Sequence, residues 1–343
     1  MLRKLPERLL PWYDRDHRQL PWRQDREPYH IWVSEIMLQQ TRVEAVKAYY
    51  ARFLKELPTV QALADCDDDR LHKLWEGLGY YSRVRNMKKC AQKICVDHGG
   101  QFPRSYDKVR ALPGIGDYTA GAICSICFDQ PTPAVDGNVL RVISRITDDA
   151  TPIDSSAYKK QVQQALEAIY PSRAGAFTQA LMELGATACG PNRAPNCENC
   201  PCKDLCLGYA RGTATALPVK QPRKARREED RTVFILCCDG RYAVARRPDE
   251  GVLAGLWQLP DVDGCLDANA ALAHLSGLGA KPRQLHRQTD KKHIFTHVQW
   301  NMRGFFVQTN AMADCWLWLT EEEIDHTVAL PPAYRQFWDE RNV

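Results

Sequence analysis

Between Leu217 and Arg231 the chain changes character, and that change limits its fold more than any single residue does. The stretch Pro-Val-Lys-Gln-Pro-Arg-Lys-Ala-Arg-Arg-Glu-Glu-Asp-Arg is charged and has no periodic apolar face, which is the composition of a linker over 217–231. From Leu5 to about Tyr170 apolar residues recur at helical spacing, with Pro58, Gly99-Gly100, Pro113 to Gly116, Pro131 to Pro133 and Pro171 between them. This predicts a helical domain over 1–216, with helices near 31–54, 60–65, 70–97, 117–128, 138–146 and 155–169. After the linker, Thr232 to Cys238 and Arg241 to Arg247 are β-rich runs around Asp239-Gly240, a strong hairpin signal. Ile294 to Trp300 and Gly304 to Thr309 read as further strands, and Ala268 to Ser276 and Pro332 to Glu340 as helices. Residues 232–343 are therefore expected to form an α+β domain.

Composition supports two soluble domains. A chain of 343 residues exceeds the usual size of one. No apolar run of about 18 residues appears, and Met1 to Glu7 lack the apolar block of a secretory signal, so a cytoplasmic monomer is expected. The balance of 46 Lys and Arg against 42 Asp and Glu permits nucleic acid as a partner without requiring it.

Of the 14 cysteines, Cys189, Cys197, Cys200 and Cys206 stand seven, two and five residues apart in a Pro-rich loop. Such a loop has too little apolar content to order itself, and four thiolates fit either a structural zinc or an iron-sulfur cluster. Cys202 lies inside the last gap as a competing ligand. Cys66, Cys90, Cys95, Cys124, Cys127, Cys237, Cys238, Cys265 and Cys315 lack such spacing and read as reduced thiols of the core.

Three further places carry chemistry. Leu112-Pro113-Gly114-Ile115-Gly116 joins two predicted helices, and a turn with two glycines before a helix N-terminus can grip a phosphate; a tight inter-helical turn is the plainer alternative. Glu35 has Ile31, Trp32 and Leu38 among its helical neighbours, which places its carboxyl beside an apolar face and raises its affinity for a proton. Asp136 stands before a predicted helix, where backbone N–H donors and the helix dipole favour a charged carboxylate, as at any N-cap. One protonated and one charged carboxyl make an acid-base pair.

The string Leu112-Pro113-Gly114-Ile115-Gly116-Asp117-Tyr118-Thr119-Ala120-Gly121-Ala122 resembles the helix-hairpin-helix of DNA glycosylases. With the four-cysteine loop it points to the endonuclease III superfamily. Leu20-Pro21-Trp22-Arg23, Ser34-Glu35-Ile36-Met37-Leu38-Gln39-Gln40-Thr41 and Gly77-Leu78-Gly79-Tyr80-Tyr81-Ser82-Arg83 resemble the MutY family of adenine glycosylases within it. Gly251-Val252-Leu253-Ala254-Gly255-Leu256-Trp257-Gln258-Leu259-Pro260 is similar to a loop of the Nudix-like domain that ends those proteins. The resemblance implies a helix-hairpin-helix glycosylase domain with an iron-sulfur loop, followed by an α+β Nudix-like domain.

It also implies roles. Glu35 would protonate adenine at N7, Asp136 would stabilise the oxocarbenium-like sugar, and Asn138 and Tyr118 would support them. Relatives that also cleave the strand carry a Schiff-base lysine where Tyr118 stands, so a monofunctional enzyme is implied. Trp22 and Arg23 would line the adenine pocket, with Gln179 at the adenine edge. Gly114 and Gly116 would hold the backbone phosphate, and Gln40, Thr41, Leu78, Gly79 and Tyr80 would fill the gap left by the flipped base. A 4Fe-4S cluster would be held by Cys189, Cys197, Cys200 and Cys206, although the family spaces the first two by six residues rather than seven.

The partner implied is double-stranded DNA with adenine opposite 8-oxoguanine. That base would be read where the family has Phe-Ser-His and this chain has Phe295-Thr296-His297, with Lys291, Lys292 and His293 nearby for phosphate. Gly251 to Ala280 contains no Glu, and magnesium-dependent Nudix hydrolysis needs a glutamate-rich helix, so binding without hydrolysis is expected there. Two alternatives are a bifunctional glycosylase and lyase for damaged pyrimidines, and a non-catalytic DNA-binding protein.

Overall fold

The computed structural model describes residues 1–191, 194–222 and 225–341. It packs as two compact units, Met1–Asp65 with Arg85–Pro222, and Cys66–Val84 with Arg223–Val343.

The helices of the first two thirds are α1 (Leu5–Asp16), α2 (Pro28–Leu38), α3 (Val43–Glu56), α4 (Val60–Asp65), α5 (Asp68–Trp75), α6 (Ser82–His98), α7 (Tyr106–Arg110), α8 (Asp117–Phe128), α9 (Gly137–Thr147), α10 (Ser156–Glu167), α11 (Ala174–Thr187) and α12 (Leu207–Ala210). One core of the first unit joins Leu5 and Leu9 of α1, Val139, Val142 and Ile146 of α9, Val162 and Leu166 of α10, and Phe177, Leu181 and Leu184 of α11. Cys189, Cys200 and Cys206 pack against its edge. Asp136 starts α9 by accepting bonds from the N–H groups of Asn138 at 2.9 Å and Val139 at 2.8 Å, which satisfies donors that a helix start leaves free.

Several expectations are corrected. The helix expected over 31–54 is two helices, α2 and α3, parted at Gln40, whose φ is +58°. The helix expected over 70–97 is α5 and α6, parted by Gly77 at +95°, Gly79 at +67° and Tyr80 at +46°. Apolar residues resume at helical spacing beyond each break, which joins the helices in a reading by periodicity, although the polar run Gln39 to Arg42 and the glycines Gly77 and Gly79 stand at the turns. Two long helices, α1 and α11, fell outside the predicted set. Pro11 lies inside α1 and masks it, while α11 buries residues all round, from Ala174 to Gly185.

In the second unit, β1 (Arg227–Cys238), β2 (Arg241–Arg246), β3 (Trp257–Gln258), β4 (Asp261–Asp263), β5 (Pro282–Ile294), β6 (Val298–Thr309) and β7 (Leu317–Thr320) form a seven-stranded mixed sheet of order β3-β2-β1-β6-β5, with β4 on β1 and β7 on β2. β1 and β6 run parallel, pairing Arg227 with Val298 through Cys237 with Gln308. Alternation along β1 sends Val233 and Ile235 to one face, under α14 (Glu321–Thr327) and α15 (Pro332–Trp338), and Phe234 and Leu236 to the other, under α13 (Ala268–Gly277).

β1 begins at Arg227, inside the charged 217–231 stretch, because pairing with β6 from Arg227–Val298 onward orders residues whose composition is that of a linker; residues 223–224 of that stretch lie outside the described ones. The strand expected over Ile294 to Trp300 is instead the end of β5, a turn at 295–297 and the start of β6, with the Phe295 N–H bonded to the Val298 carbonyl at 2.8 Å. β5 itself went unpredicted, since it is an edge strand of mostly polar residues.

Candidate active site

Helix α2 buries every residue from Ile31 to Met37, and Glu35 with them at 5 % exposure. The Tyr118 hydroxyl, from the first turn of α8, donates a 2.6 Å hydrogen bond to Glu35 Oε2. Burial lifts the Glu35 carboxyl to about 7; the Tyr118 bond opposes this, the Asp136 charge adds to it and Arg23 opposes it. Burial, and then the charges of Glu35 and Asp136, push the Tyr118 phenol well above its ordinary range, so it remains a donor. The charge of Asp136 thus acts on both Glu35 and Tyr118, which places it within electrostatic reach of that hydrogen-bonded pair.

What brings Asp136 there is a missing side chain. A Cβ at Gly121 of α8 would sit 2.2 Å from the Pro133 carbonyl oxygen. Only glycine lets the extended segment before Asp136 lie against α8 at this distance. Besides its two backbone donors, Asp136 Oδ2 accepts a 2.6 Å bond from Asn138 Nδ2. Asn138 Oδ1 accepts one from Arg141 Nη2 at 2.9 Å, and Arg141 Nε donates to the Cys189 carbonyl at 2.9 Å. A continuous chain of bonds therefore links the carboxylate to the first cysteine of the loop.

Arg23 is held by a carboxylate that sequence reasoning missed. Glu183 of α11 is fully buried, accepts from Arg18 Nε at 2.7 Å and Nη2 at 3.0 Å, and pairs with Arg23 Nη2 at 2.7 Å. Burial alone would raise its carboxyl, but the two arginines outweigh it and hold Glu183 below the ordinary value. Arg23 lies 5.6 Å over the Tyr13 ring, and the Tyr13 hydroxyl donates to Gln179 Oε1 at 2.7 Å. Trp22 is buried, edge-on to Tyr50. The available signal was Glu183 itself, a lone charge in the apolar run Ala-Leu-Met-Glu-Leu-Gly-Ala, since a charge so placed must be paired.

In the hairpin, Gly114 has φ +73° and a Cβ there would meet Asn86 Cβ of α6 at 2.6 Å. Gly116 is exposed, would meet nothing, and starts α8 without a side-chain cap. First-turn N–H groups of α8 are thereby left open to an anion. At the break between α2 and α3, Gln40 is exposed and Thr41 partly buried.

Cys189, Cys197, Cys200 and Cys206 line one cavity, beside Arg145 and the fully buried Cys202. Arg145 Nη1 reaches Cys189 Sγ at 3.2 Å. Among the described residues, no three Cys, His, Asp or Glu side chains are grouped as a metal ion would require, and residues 192–193 of the loop lie outside them.

The second unit brings together two residues chosen from distant motifs. Tyr80, exposed and left-handed at φ +46°, shares a 3.1 Å hydroxyl–hydroxyl bond with Thr296 of the 295–297 turn. Leu78 is buried, and the Gly79 carbonyl accepts from Trp75 Nε1 at 3.0 Å and from Arg83 Nη2 at 3.1 Å. His297 is exposed beside Thr296.

Residues 33–171 match the family model of the HhH-GPD superfamily base excision DNA repair protein, and residues 232–340 that of the NUDIX domain. The chain is 34% identical to the adenine DNA glycosylase of Mus musculus, over 97% of this chain and 78% of the mouse protein. It is 34% identical to that of Homo sapiens, over 96% and 72%, and 36% identical to that of Arabidopsis thaliana, over 85% and 55%. Among solved structures, a thermostable thymine-DNA glycosylase superposes with a TM-score of 0.54 at 28% identity, over 61% of this chain and 97% of its own. An endonuclease III trapped as a covalent intermediate with DNA shares the fold, with a TM-score of 0.53 at 23% identity over 62% of this chain and 96% of its own.

Proposed function

The chain belongs to the adenine DNA glycosylase family, and from that premise we propose that it hydrolyses the N-glycosidic bond of adenine standing opposite 8-oxoguanine, as a monofunctional enzyme of base excision repair. The observation that supports this reading is the buried Glu35 hydrogen-bonded to Tyr118, with the charge of Asp136 acting on both. Glu35 holds a proton near neutral pH and gives it to N7 of the flipped adenine, so that the C1′–N9 bond breaks with its electron pair leaving on a neutral base. Asp136, held by three N–H donors, faces the positive charge that grows on the sugar. Water then adds at C1′ and loses its proton, leaving an abasic site. Tyr118 has no amine to form a Schiff base, so the strand is left intact.

Arg23, held by Glu183, would form with Trp22 and Gln179 the side of the site that receives the purine. Gly114, Gly116 and the start of α8 would grip the phosphate, with Gln40, Thr41 and the turn Leu78-Gly79-Tyr80 filling the vacated stack. Thr296 and His297 would read the oxidised base, the Thr hydroxyl serving as the contact group. The second unit would bind without hydrolysing.

The cysteine loop suits a 4Fe-4S cluster on its donor set: five thiols around one cavity, the fully buried Cys202 among them, with no histidine or carboxylate in its lining. Cys189, Cys197, Cys200 and Cys206 would hold the cluster, which would supply the order that the loop's own residues cannot. Broad visible absorption in purified protein separates it from zinc.

The deciding assay uses a duplex with adenine opposite 8-oxoguanine. Strand cleavage only after alkali is the expected result. Cleavage without alkali, trapped by borohydride, would instead establish a lyase, and no cleavage would leave a DNA-binding protein.

A further inference from the structure

The turn Leu78-Gly79-Tyr80 and the turn that carries Thr296 belong to one body. Residues Cys66–Val84 come from the helical part of the sequence, yet pack with Arg223–Val343. The attachment is polar and specific. Asp69 Oδ1 accepts from Trp257 Nε1 at 3.0 Å and also pairs with Arg246, whose guanidinium lies 4.1 Å over the Trp257 ring. Glu76 Oε1 accepts from the Leu330 N–H at 3.1 Å, and its other oxygen meets Lys73 Nζ at 2.6 Å. Lys73 in turn donates to the Val328 carbonyl at 3.0 Å. Glu76 directly precedes Gly77, where the chain turns left-handed, so its carboxylate fixes the last point before the turn. Tyr80 and Thr296 close the far end.

We propose that Asp69 and Glu76 are positioning residues for discrimination of the opposite base, fastening the turn that enters the stack to the domain that reads 8-oxoguanine. The inference rests on the reading given above for Tyr80 and Thr296. Recognition of the oxidised base at Thr296 speeds excision only if it also favours extrusion of the adenine. A rigid connection transmits that preference and a slack one loses it. Small misplacements of such groups are costly: a shift of about 1 Å can change a rate by roughly a hundredfold.

The test compares single-turnover adenine release from duplexes with adenine opposite 8-oxoguanine and opposite guanine, for the full-length protein and for Asp69→Ala, Glu76→Ala and Glu76→Gln. The alanine variants are expected to lose about tenfold on the 8-oxoguanine duplex and less than about twofold on the guanine duplex. Glu76→Gln should recover most of the loss, since its amide oxygen still accepts from Leu330. Activity on the guanine duplex shows that each variant is folded. Equal losses on both duplexes, or an unchanged ratio, would overturn the proposal. A ratio near one in the unaltered protein would remove the opposite-base reading itself, and this inference with it.

Discussion

Glu35 and Asp136 carry the same functional group in opposite surroundings, one among apolar side chains beneath a phenol and the other ringed by N–H donors. With the Glu35 carboxyl at about 7, base release should be level below pH 7 and fall about tenfold per unit above it. Glu35→Gln should cut release by roughly a thousandfold while leaving duplex binding intact, as single-turnover assays and fluorescence anisotropy would show. Folding gives a second, independent check. The folded value lies above the ordinary 4.5, so the native state holds this proton longer than the unfolded chain. That contribution is fully present below pH 4.5 and lost as pH rises through 7. Glu35→Gln should therefore gain stability relative to the unaltered protein between pH 4.5 and 8, by about 3 kcal/mol in urea titrations.

Elements were legible where periodicity and punctuation agreed. Helix α8 lies over Asp117–Phe128 as its spacing predicts, and the Asp239-Gly240 signal marks the β1–β2 hairpin. What periodicity alone did not separate were the segments on either side of Gln40, Gly77 to Tyr80 and Phe295 to His297, where the chain reverses. These turns carry candidate DNA contacts, so a few of the most consequential backbone conformations lay outside any local pattern. Glu183 was hidden for a related reason: its arginine partners lie about 160 residues away in sequence. Gly114 was legible, and its geometry is strict. Gly114→Ala would place a methyl against Asn86 on a backbone at φ +73°, and should cost about 1–2 kcal/mol in thermal melts and weaken duplex binding. Gly116→Ala, where φ is −93° and space is open, should be nearly neutral for stability.

At the scale of the molecule, the cysteine loop is anchored to the first unit through few groups. Cys189, Cys200 and Cys206 rest on the core of α1, α9, α10 and α11, and Arg141 ties Cys189 to Asn138 and so to Asp136. Cys197→Ser, or chelator treatment that would strip the proposed cluster, should lower the melting temperature of the helical unit by roughly 10 °C and leave the second unit's transition in place, in differential scanning calorimetry. The second unit has a different dependence. Its sheet pairs β1 with β6 in parallel across some seventy residues of intervening chain, and Cys66–Val84, from far upstream, completes it. A ribosome releases that upstream piece long before the strands it docks on have been made. It must wait undocked while the rest is synthesised, and a break at the charged stretch after Leu217 would leave the downstream fragment without the piece that completes its unit.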